Sequence, residues 1–134
     1  MRKRIVMCLA VCLCILPYRL AAAPFDGSAP MLCAVIDVFE CTATGSCQRG
    51  TAESVNIPQF MRINTAEKTL SSTGDNVRKT TVQRVDRLDG RLILQGGEHG
   101  RGWSIVIAED TGKLSASVSD DQVGFIIFGA CTVL

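Results

Sequence analysis

The chain has 134 residues, of which 47% are hydrophobic and 20% charged, and its formal net charge at pH 7 is +1. This composition is typical of one ordinary globular domain and excludes disordered and collagen-like chains. Lys and Arg total 14 against 13 for Asp and Glu, so a strongly basic surface for nucleic acid is excluded as well.

The first 23 residues have the three-part pattern of a secretory signal peptide. Basic residues at the start are followed by an apolar run from Ile5 to Leu16 and by the small residues 21–23. That run is shorter than the roughly 20 residues that a membrane-spanning helix needs. We therefore predict a signal peptide over residues 1–22 with cleavage near Ala23, a single domain over residues 23–134, and no permanent membrane anchor.

Four of the seven cysteines lie beyond the predicted leader, and an even number in an exported chain indicates disulfides. Cys41 and Cys47 flank a turn-like segment, so we predict that they pair and that Cys33 pairs with Cys131. A four-cysteine zinc site is the alternative, but the chain has no C-x2-C or C-x4-C spacing. We predict a periplasmic or secreted protein with no metal and no cofactor.

From Met31 onward apolar and polar residues alternate, and turn-forming residues punctuate the alternation at short intervals. This pattern predicts antiparallel strands. In chain order the predicted strands cover residues 32–39, 59–64, 68–72, 78–87, 92–94, 103–107, 114–118 and 125–128. Arg49 to Pro58 is predicted to be the longest loop, with a helical turn at 52–55.

About eight short strands with tight links predict an all-β meander that closes into a small barrel or a curled sheet. Closure removes exposed strand edges, and a Cys33–Cys131 bridge would tie the first strand to the last. A two-sheet sandwich is the alternative, less favoured because the links are too short for Greek-key crossings. Residues 23–134 are thus interpreted as one disulfide-stapled β-domain.

The candidate contact residues lie close together in sequence: His99, Arg101 and Trp103. His99 is the only histidine and lies in a glycine-rich link, where it is either a general base or anion contact or the tip of an exposed hairpin. We favour the hairpin tip, because no nucleophile-elbow or metalloprotease motif accompanies it. Trp103 and the phenylalanines either fill the interior or line a ligand cavity, and we favour the interior. No catalytic residue is assigned.

Basic residues also cluster between Arg78 and Arg91. They either contact an acidic partner or an anionic glycan, or they form a solvated edge strand whose charges prevent pairing with other chains. We favour the edge strand.

Cys33 and four short motifs occur in order along the chain: Cys41-x5-Cys47, Pro58-x-Phe60, Gly100-Arg101-Gly102-Trp103-Ser104 and Phe128-Gly129-Ala130-Cys131-Thr132. Their order resembles that of a group of small exported proteobacterial proteins ending in Phe-Gly-Ala-Cys-Thr, to which no function is assigned. The resemblance implies an envelope protein and no particular activity. The G-x-W signature of lipocalins does not fit, because it belongs to their first strand and Arg101 stands where its first glycine would be.

The export signal, the stapled β-domain and the lack of catalytic motifs favour a non-enzymatic binding or interaction module of the envelope. Its partner would be a small ligand or an envelope protein, and the chain is expected to be a monomer. One alternative is an inhibitor of a secreted protease or muramidase that acts through residues 96–102 or 49–58. A small hydrolase that uses His99 is a third, less favoured hypothesis.

Overall fold

A computed structural model describes residues 24–134, which form ten antiparallel β-strands in one curled sheet. The predicted signal peptide and its cleavage near Ala23 lie outside these residues. No helix within residues 24–134 has the length and apolar character needed to cross a membrane. The predicted all-β fold is confirmed.

The strands follow the predicted alternation closely. In chain order they are β1 (Met31–Thr42), β2 (Cys47–Gly50), β3 (Phe60–Asn64), β4 (Thr69–Ser72), β5 (Lys79–Thr81), β6 (Arg84–Leu88), β7 (Arg91–Glu98), β8 (Arg101–Ala108), β9 (Lys113–Ser119) and β10 (Val123–Val133). Two details differ from the sequence prediction. The run 78–87 is divided into β5 and β6, and residues 47–50 form a strand where a loop was predicted to begin.

The sheet is a meander that curls into a half-barrel. The strand order is β5-β4-β3-β1-β10-β9-β8-β7-β6, and β2 pairs with β1 beside this path. The two outer strands, β5 and β6, follow one another in the chain. Val82 N–H donates to Lys68 O and Gln83 N–H donates to Gln95 O, both at 2.9 Å. These two residues therefore carry the backbone from one edge of the sheet to the other.

Two tight hairpins join β7 to its neighbours, one at each end of the strand. Asp89-Gly90 connects β6 to β7, and His99-Gly100 connects β7 to β8. The φ angles are 49° and 72° in the first pair and 50° and 78° in the second. Positive φ at both central residues is what a type I′ turn requires, and this turn matches the twist of antiparallel strands.

The core lies on the concave face of the half-barrel, where alternate residues of the strands point inward. The fully buried large side chains are Met31, Ile63, Leu92, Leu94, Ile107, Val38, Val82 and Cys33. The expectation that the aromatic residues fill this interior is wrong for three of them, because Phe60 and Phe128 are exposed and Phe39 is only half-buried. A register shift between Val35 and Asp37 reverses the inward positions of β1, so that Val38 points inward and Phe39 does not.

Both predicted disulfides are present. Cys33 and Cys131 are directly opposite each other in the β1–β10 pair, and Cys41 and Cys47 are opposite each other in the β1–β2 pair. Such bonds persist in oxidising environments. The bonded cysteines thus indicate an oxidising compartment.

One end of the half-barrel is covered by the residues that precede β1. Phe25 N–H donates to Glu109 O at 3.2 Å, and the Phe25 ring lies against Gly112. The Arg87 guanidinium donates two hydrogen bonds to the Glu109 carboxylate, at 2.7 and 3.2 Å, and one of its nitrogens lies 3.8 Å from Asp26 Oδ2. We call this the closed end.

Glu109 is a buried acid, since only 8% of its surface is exposed. The side-chain hydrogen bond from Arg87 lowers the pKa of the Glu109 carboxyl, outweighing the opposing effect of burial. The pKa of Asp26 is also lowered, chiefly by hydrogen bonds from Ser28. The ionised forms of both acids are therefore favoured by folding.

The long disulfide loop is predicted to stabilise the fold more than the short one. The two bonds join residues 98 and 6 positions apart. In the loop-entropy description, Cys33→Ala/Cys131→Ala lowers the free energy of unfolding by about 4–5 kcal/mol and Cys41→Ala/Cys47→Ala by about 2 kcal/mol. Urea denaturation of the oxidised proteins measures both losses. Equal losses, or a larger loss for the short loop, would contradict the prediction.

Acid is predicted to weaken the closed end through Glu109. Its lowered pKa means that the ion pair stabilises the fold above the ordinary pKa of a glutamate and that this contribution is lost as the pH falls through the lowered value. Glu109→Gln should therefore flatten the fall in unfolding free energy below about pH 5. Glu67→Gln, at an exposed turn position, is the control and should keep the wild-type slope. Parallel curves for all three proteins would exclude this role.

Candidate functional site

A cavity of about 780 Å³ opens at one end of the half-barrel. It is bordered by the β7–β8 turn at His99, whereas the closed end holds the β8–β9 turn at Gly112. Consecutive turns of a meander lie at opposite ends of the sheet, so this opening, which we call the mouth, lies opposite the closed end. The volume falls within the roughly 300–1,000 Å³ range of small-molecule sites.

The cavity has apolar walls and a polar rim. Its apolar lining comes from the loop before β3 and from five strands, and consists of Val55, Ile57, Pro58, Met61, Leu70, Trp103, Ile105, Ala116, Val118 and Ile127. Its polar lining consists of Asn56, Ser71, Ser72, Arg78, Lys79, Thr80, Glu98, His99, Arg101 and Asp120. An apolar pocket with a few polar groups is typical of sites for small molecules and cofactors.

Trp103 is placed by a glycine on the neighbouring strand. Gly96 is the register partner of Trp103 in the β7–β8 pair, and a Cβ atom at Gly96 would overlap the indole, lying only 2.6 Å from Cε2. The indole therefore occupies the space where a side chain of β7 would otherwise stand. This arrangement leaves Trp103 in the cavity wall with 9% of its surface exposed.

The indole Nε1–H of Trp103 is buried and has no hydrogen-bond acceptor among the described residues. Buried polar groups are nearly always paired, and leaving a donor unpaired costs about 1–3 kcal/mol.

Arg101 is held at the mouth by an acid and a ring. Its Nε donates to Asp120 Oδ2 at 3.1 Å, and its guanidinium carbon lies 5.8 Å from the centroid of the Phe125 ring. Hydrogen bonds from the backbone N–H groups of Gln122 and Val123 are the main reason why the pKa of Asp120 is lowered. The ionised Asp120 thus fixes both the β9–β10 turn and the position of Arg101.

His99 is exposed at the tip of the β7–β8 hairpin, which confirms the prediction of an exposed hairpin tip. Its ring makes no hydrogen bond among the described side chains, although the residue borders the mouth. Of the three predicted contact residues, Trp103 lies in the wall and Arg101 and His99 lie at the rim. All three border one cavity.

Two residues of the basic cluster between Arg78 and Arg91 border the mouth. Lys79 begins β5, an edge strand of the sheet, and Arg78 directly precedes it, which agrees with the edge-strand interpretation. The same two residues line the mouth, and Arg78 Nη1 donates to Asn56 O at 3.0 Å. Their position beside His99 and Arg101 could not be predicted from the sequence, because it depends on curling of the sheet, which brings the β5 edge towards β8.

The two segments proposed as projecting loops differ. Residues 51–59 are the longest connection between strands among residues 24–134, as predicted for this region, whereas residues 96–102 are not a free loop. Residues 96–102 belong to β7 and β8 apart from the two-residue turn between them. Residues 49–58 begin in β2 and then form a turn in which Ile57 N–H donates to Ala52 O at 2.8 Å and Asn56 N–H to Glu53 O at 3.1 Å. These bonds do not follow the i→i−4 pattern of an α-helix, and Val55 and Ile57 of this turn line the cavity.

No protein-family model, no curated protein and no solved structure matches this chain. Within residues 24–134, no three histidine, cysteine, aspartate or glutamate side chains converge as metal ligands. The candidate site is defined by the shape and the side-chain chemistry of the cavity.

Replacing Gly96 is predicted to displace the indole. Gly96→Ala should lower the free energy of unfolding by about 1–3 kcal/mol, because the added methyl group overlaps the ring. It should also shift the fluorescence of Trp103, the only tryptophan in the chain.

Gly102→Ala is the matched control, since a Cβ atom there meets nothing within 4 Å. It should leave the emission maximum and the urea midpoint close to wild type. An unchanged emission spectrum in Gly96→Ala would show that the indole does not occupy this space.

Proposed function

We propose that this protein is a non-enzymatic binding module that holds a small molecule in the cavity of its half-barrel. The observation that carries the proposal is the apolar cavity of about 780 Å³ with Trp103 in its wall. A small barrel has room for packed side chains or for one small ligand. Here the closed end is packed and the mouth is open.

The apolar walls supply most of the affinity. A ligand that buries ~300 Å² of apolar surface gains about 7 kcal/mol from its transfer out of water. Loss of translational and rotational freedom opposes this gain, so apolar contact alone corresponds to weak binding. Hydrogen bonds and ion pairs at the rim add affinity and fix the orientation of the ligand.

We further propose that the module works in the bacterial envelope, in the periplasm or after secretion. The sequence of residues 1–22 supports export, and the two disulfides support an oxidising compartment. The resemblance of its motif order to that of small exported proteobacterial proteins agrees with this location.

A second candidate function is binding of an envelope protein, which includes inhibition of a secreted hydrolase. The observation that favours it is an apolar area on the convex face of β1, β3 and β10. Phe60, Ile126 and Phe128 are 46%, 42% and 45% exposed, and Phe39 packs edge-to-face on Phe128 at 6.3 Å. Exposed apolar patches of this kind mark interaction sites. Inhibition of a purified protease or muramidase that Phe128→Ser abolishes would favour this candidate.

Native mass spectrometry of protein exported to a periplasm with its own leader tests the proposed function directly. We expect a one-to-one adduct that leaves on denaturation. The empty protein should also bind 1-anilinonaphthalene-8-sulfonate, with energy transfer from Trp103 to the bound probe.

Ala116→Leu separates binding in the cavity from binding on the convex face. Ala116 lines the cavity, whereas Ala130 of the same sheet is exposed. Ala116→Leu should weaken probe binding about tenfold, and the control Ala130→Leu should not, since the added methyl groups reduce the cavity in the first variant only. An empty native protein, with probe binding that is absent or equal in both variants, would refute the cavity as a binding site.

A further inference from the structure

The convex face of the sheet has a charge opposite in sign to that of the whole domain. Residues 24–134 contain ten basic and 13 acidic residues, a net charge of −3. Alternation along the strands places six basic side chains but only two acidic ones at outward positions, a net charge of +4: Arg49, Arg62, Lys79, Arg84, Arg91 and Lys113 against Asp37 and Asp86. The other acids lie mainly in turns.

Four of the outward cations have no acidic partner. Asp37 is paired with Arg49 and Asp86 with Arg84, so both outward acids are already neutralised within the face. Among residues 24–134, the four basic residues that form no salt bridge on this face are Arg62, Lys79, Arg91 and Lys113. Asp110 of the β8–β9 turn borders the same shallow hollow as the last two, and the face keeps its positive sign when this acid is included.

The exposed apolar area of this face lies between two of these cations. Phe60 of β3 and Lys113 of β9 occupy one cross-strand row, which passes through β1 and β10. Arg62 is two residues from Phe60 along β3, a distance of about 7 Å. Lys113 is the diagonal neighbour of Phe128 across the β9–β10 pair, at about 7–8 Å. The two exposed rings therefore lie side by side with positive charge.

The positive charge decides which kind of partner this apolar area fits. In a two-fold contact between copies of the chain, the same face meets itself. Such a contact would place the unpaired cations of one copy near those of the other, and like charges across an interface are unfavourable. The face is therefore complementary to an anionic surface and not to a second copy.

A fluid surface suits this face better than a folded protein does. The face is convex, and Phe60, Ile126 and Phe128 project from it without lining a pocket. The energetically dominant residues of protein interfaces are clustered in well-packed pockets. Apolar side chains enter the head-group region of a bilayer without needing such a complementary surface, and nearby Lys and Arg side chains add attraction to acidic lipids.

We propose that the convex face of β1, β3, β9 and β10 binds reversibly to a bilayer surface that contains acidic phospholipids. The exposed phenylalanine and isoleucine side chains enter the head-group region, and the unpaired cations lie against the lipid phosphates. The inference goes beyond the cavity and does not rest on it. Because β1 and β10 run from the closed end to the mouth, a bilayer against their convex face lies alongside the half-barrel and leaves the mouth open to water.

Co-sedimentation of the exported, oxidised protein with lipid vesicles tests the proposal. We expect binding to phosphatidylcholine vesicles that contain about 30 mol% phosphatidylglycerol, and at least about tenfold weaker binding to phosphatidylcholine alone. Raising the salt concentration from about 50 mM to about 500 mM should weaken binding to the acidic vesicles, because salt screens exposed charges.

Lys113→Glu tests the contribution of the charge. It should weaken binding to the acidic vesicles about tenfold, because it replaces a cation next to the apolar area by an anion. Arg84→Glu is the matched control, since it changes the net charge equally. Arg84 is already paired with Asp86 and lies on β6, an edge strand four strands from β10. The control should stay within about twofold of wild type.

Ile126→Ser tests the contribution of the apolar area. Ile126 is 42% exposed on β10, and its replacement should weaken binding to the acidic vesicles about fivefold. Val77→Ser is the control, because Val77 is 60% exposed but lies in the β4–β5 turn away from this area. The urea midpoint of each variant shows whether the fold is intact.

Several results would overturn the proposal. Absence of binding to the acidic vesicles at low salt would do so, as would equal binding to neutral and acidic vesicles. Equal losses in Lys113→Glu and Arg84→Glu would show that only the net charge matters. A dimer that Ile126→Ser dissociates would assign the face to a second copy. Inhibition of a protease or muramidase that Phe128→Ser abolishes, without vesicle binding, would assign it to a protein partner.

Discussion

The pairing of β1 with β10 is the contact on which the rest of the structure depends. The two strands run side by side from Met31–Val133 to Thr42–Val123, and no other strand pair is as long among residues 24–134. Their contact joins the β3–β5 half of the meander to the β6–β9 half. Met61 of β3 and Ala116 of β9 line one cavity only because of this junction. Closing so long a chain is entropically costly, and the Cys33–Cys131 bond, which spans 98 positions, offsets that cost by restricting the unfolded chain.

The interior is filled at one end and open at the other, and residue size explains the difference. Towards the closed end, Leu92, Ile107 and Ile63 are fully buried, and the Phe25 ring packs against the core. Towards the mouth, β7 carries Gly96 and β9 carries Ala116 at inward positions. The indole uses the space over Gly96, whereas Ala116, which stands between Ile105 and Ile127 in the register, has a small side chain and lines the open cavity. Protein cores are normally packed to crystal-like density, so an apolar space of this size is a feature that binding can explain.

Local patterns in the sequence predicted the local structure, and closure of the sheet determined the rest. Period-two alternation places most strands because it depends only on neighbouring residues. β2 has no such alternation and is held by Glu40, Cys41 and the short disulfide. The outward position of Phe39 follows from the bulge after Val35. Nothing in the sequence around Val35 predicts this bulge. The sequence could group His99, Arg101 and Trp103 as contact residues because they lie within five positions of the chain. Arg78 and Lys79 could not, since they reach the mouth only when the two edges of the sheet approach each other.

Both ends of the described chain leave the fold at the same place. Leu134 N–H donates to Pro30 O at 2.9 Å, beside the Met31–Val133 pair, and residues 24–30 cover that end of the half-barrel. The cavity opens at the far end, a strand length away. A fusion partner, an affinity tag or a solid support joined at either terminus would therefore hold the molecule with its opening directed outward, and the protein can be displayed on a surface while its interior stays accessible from solution.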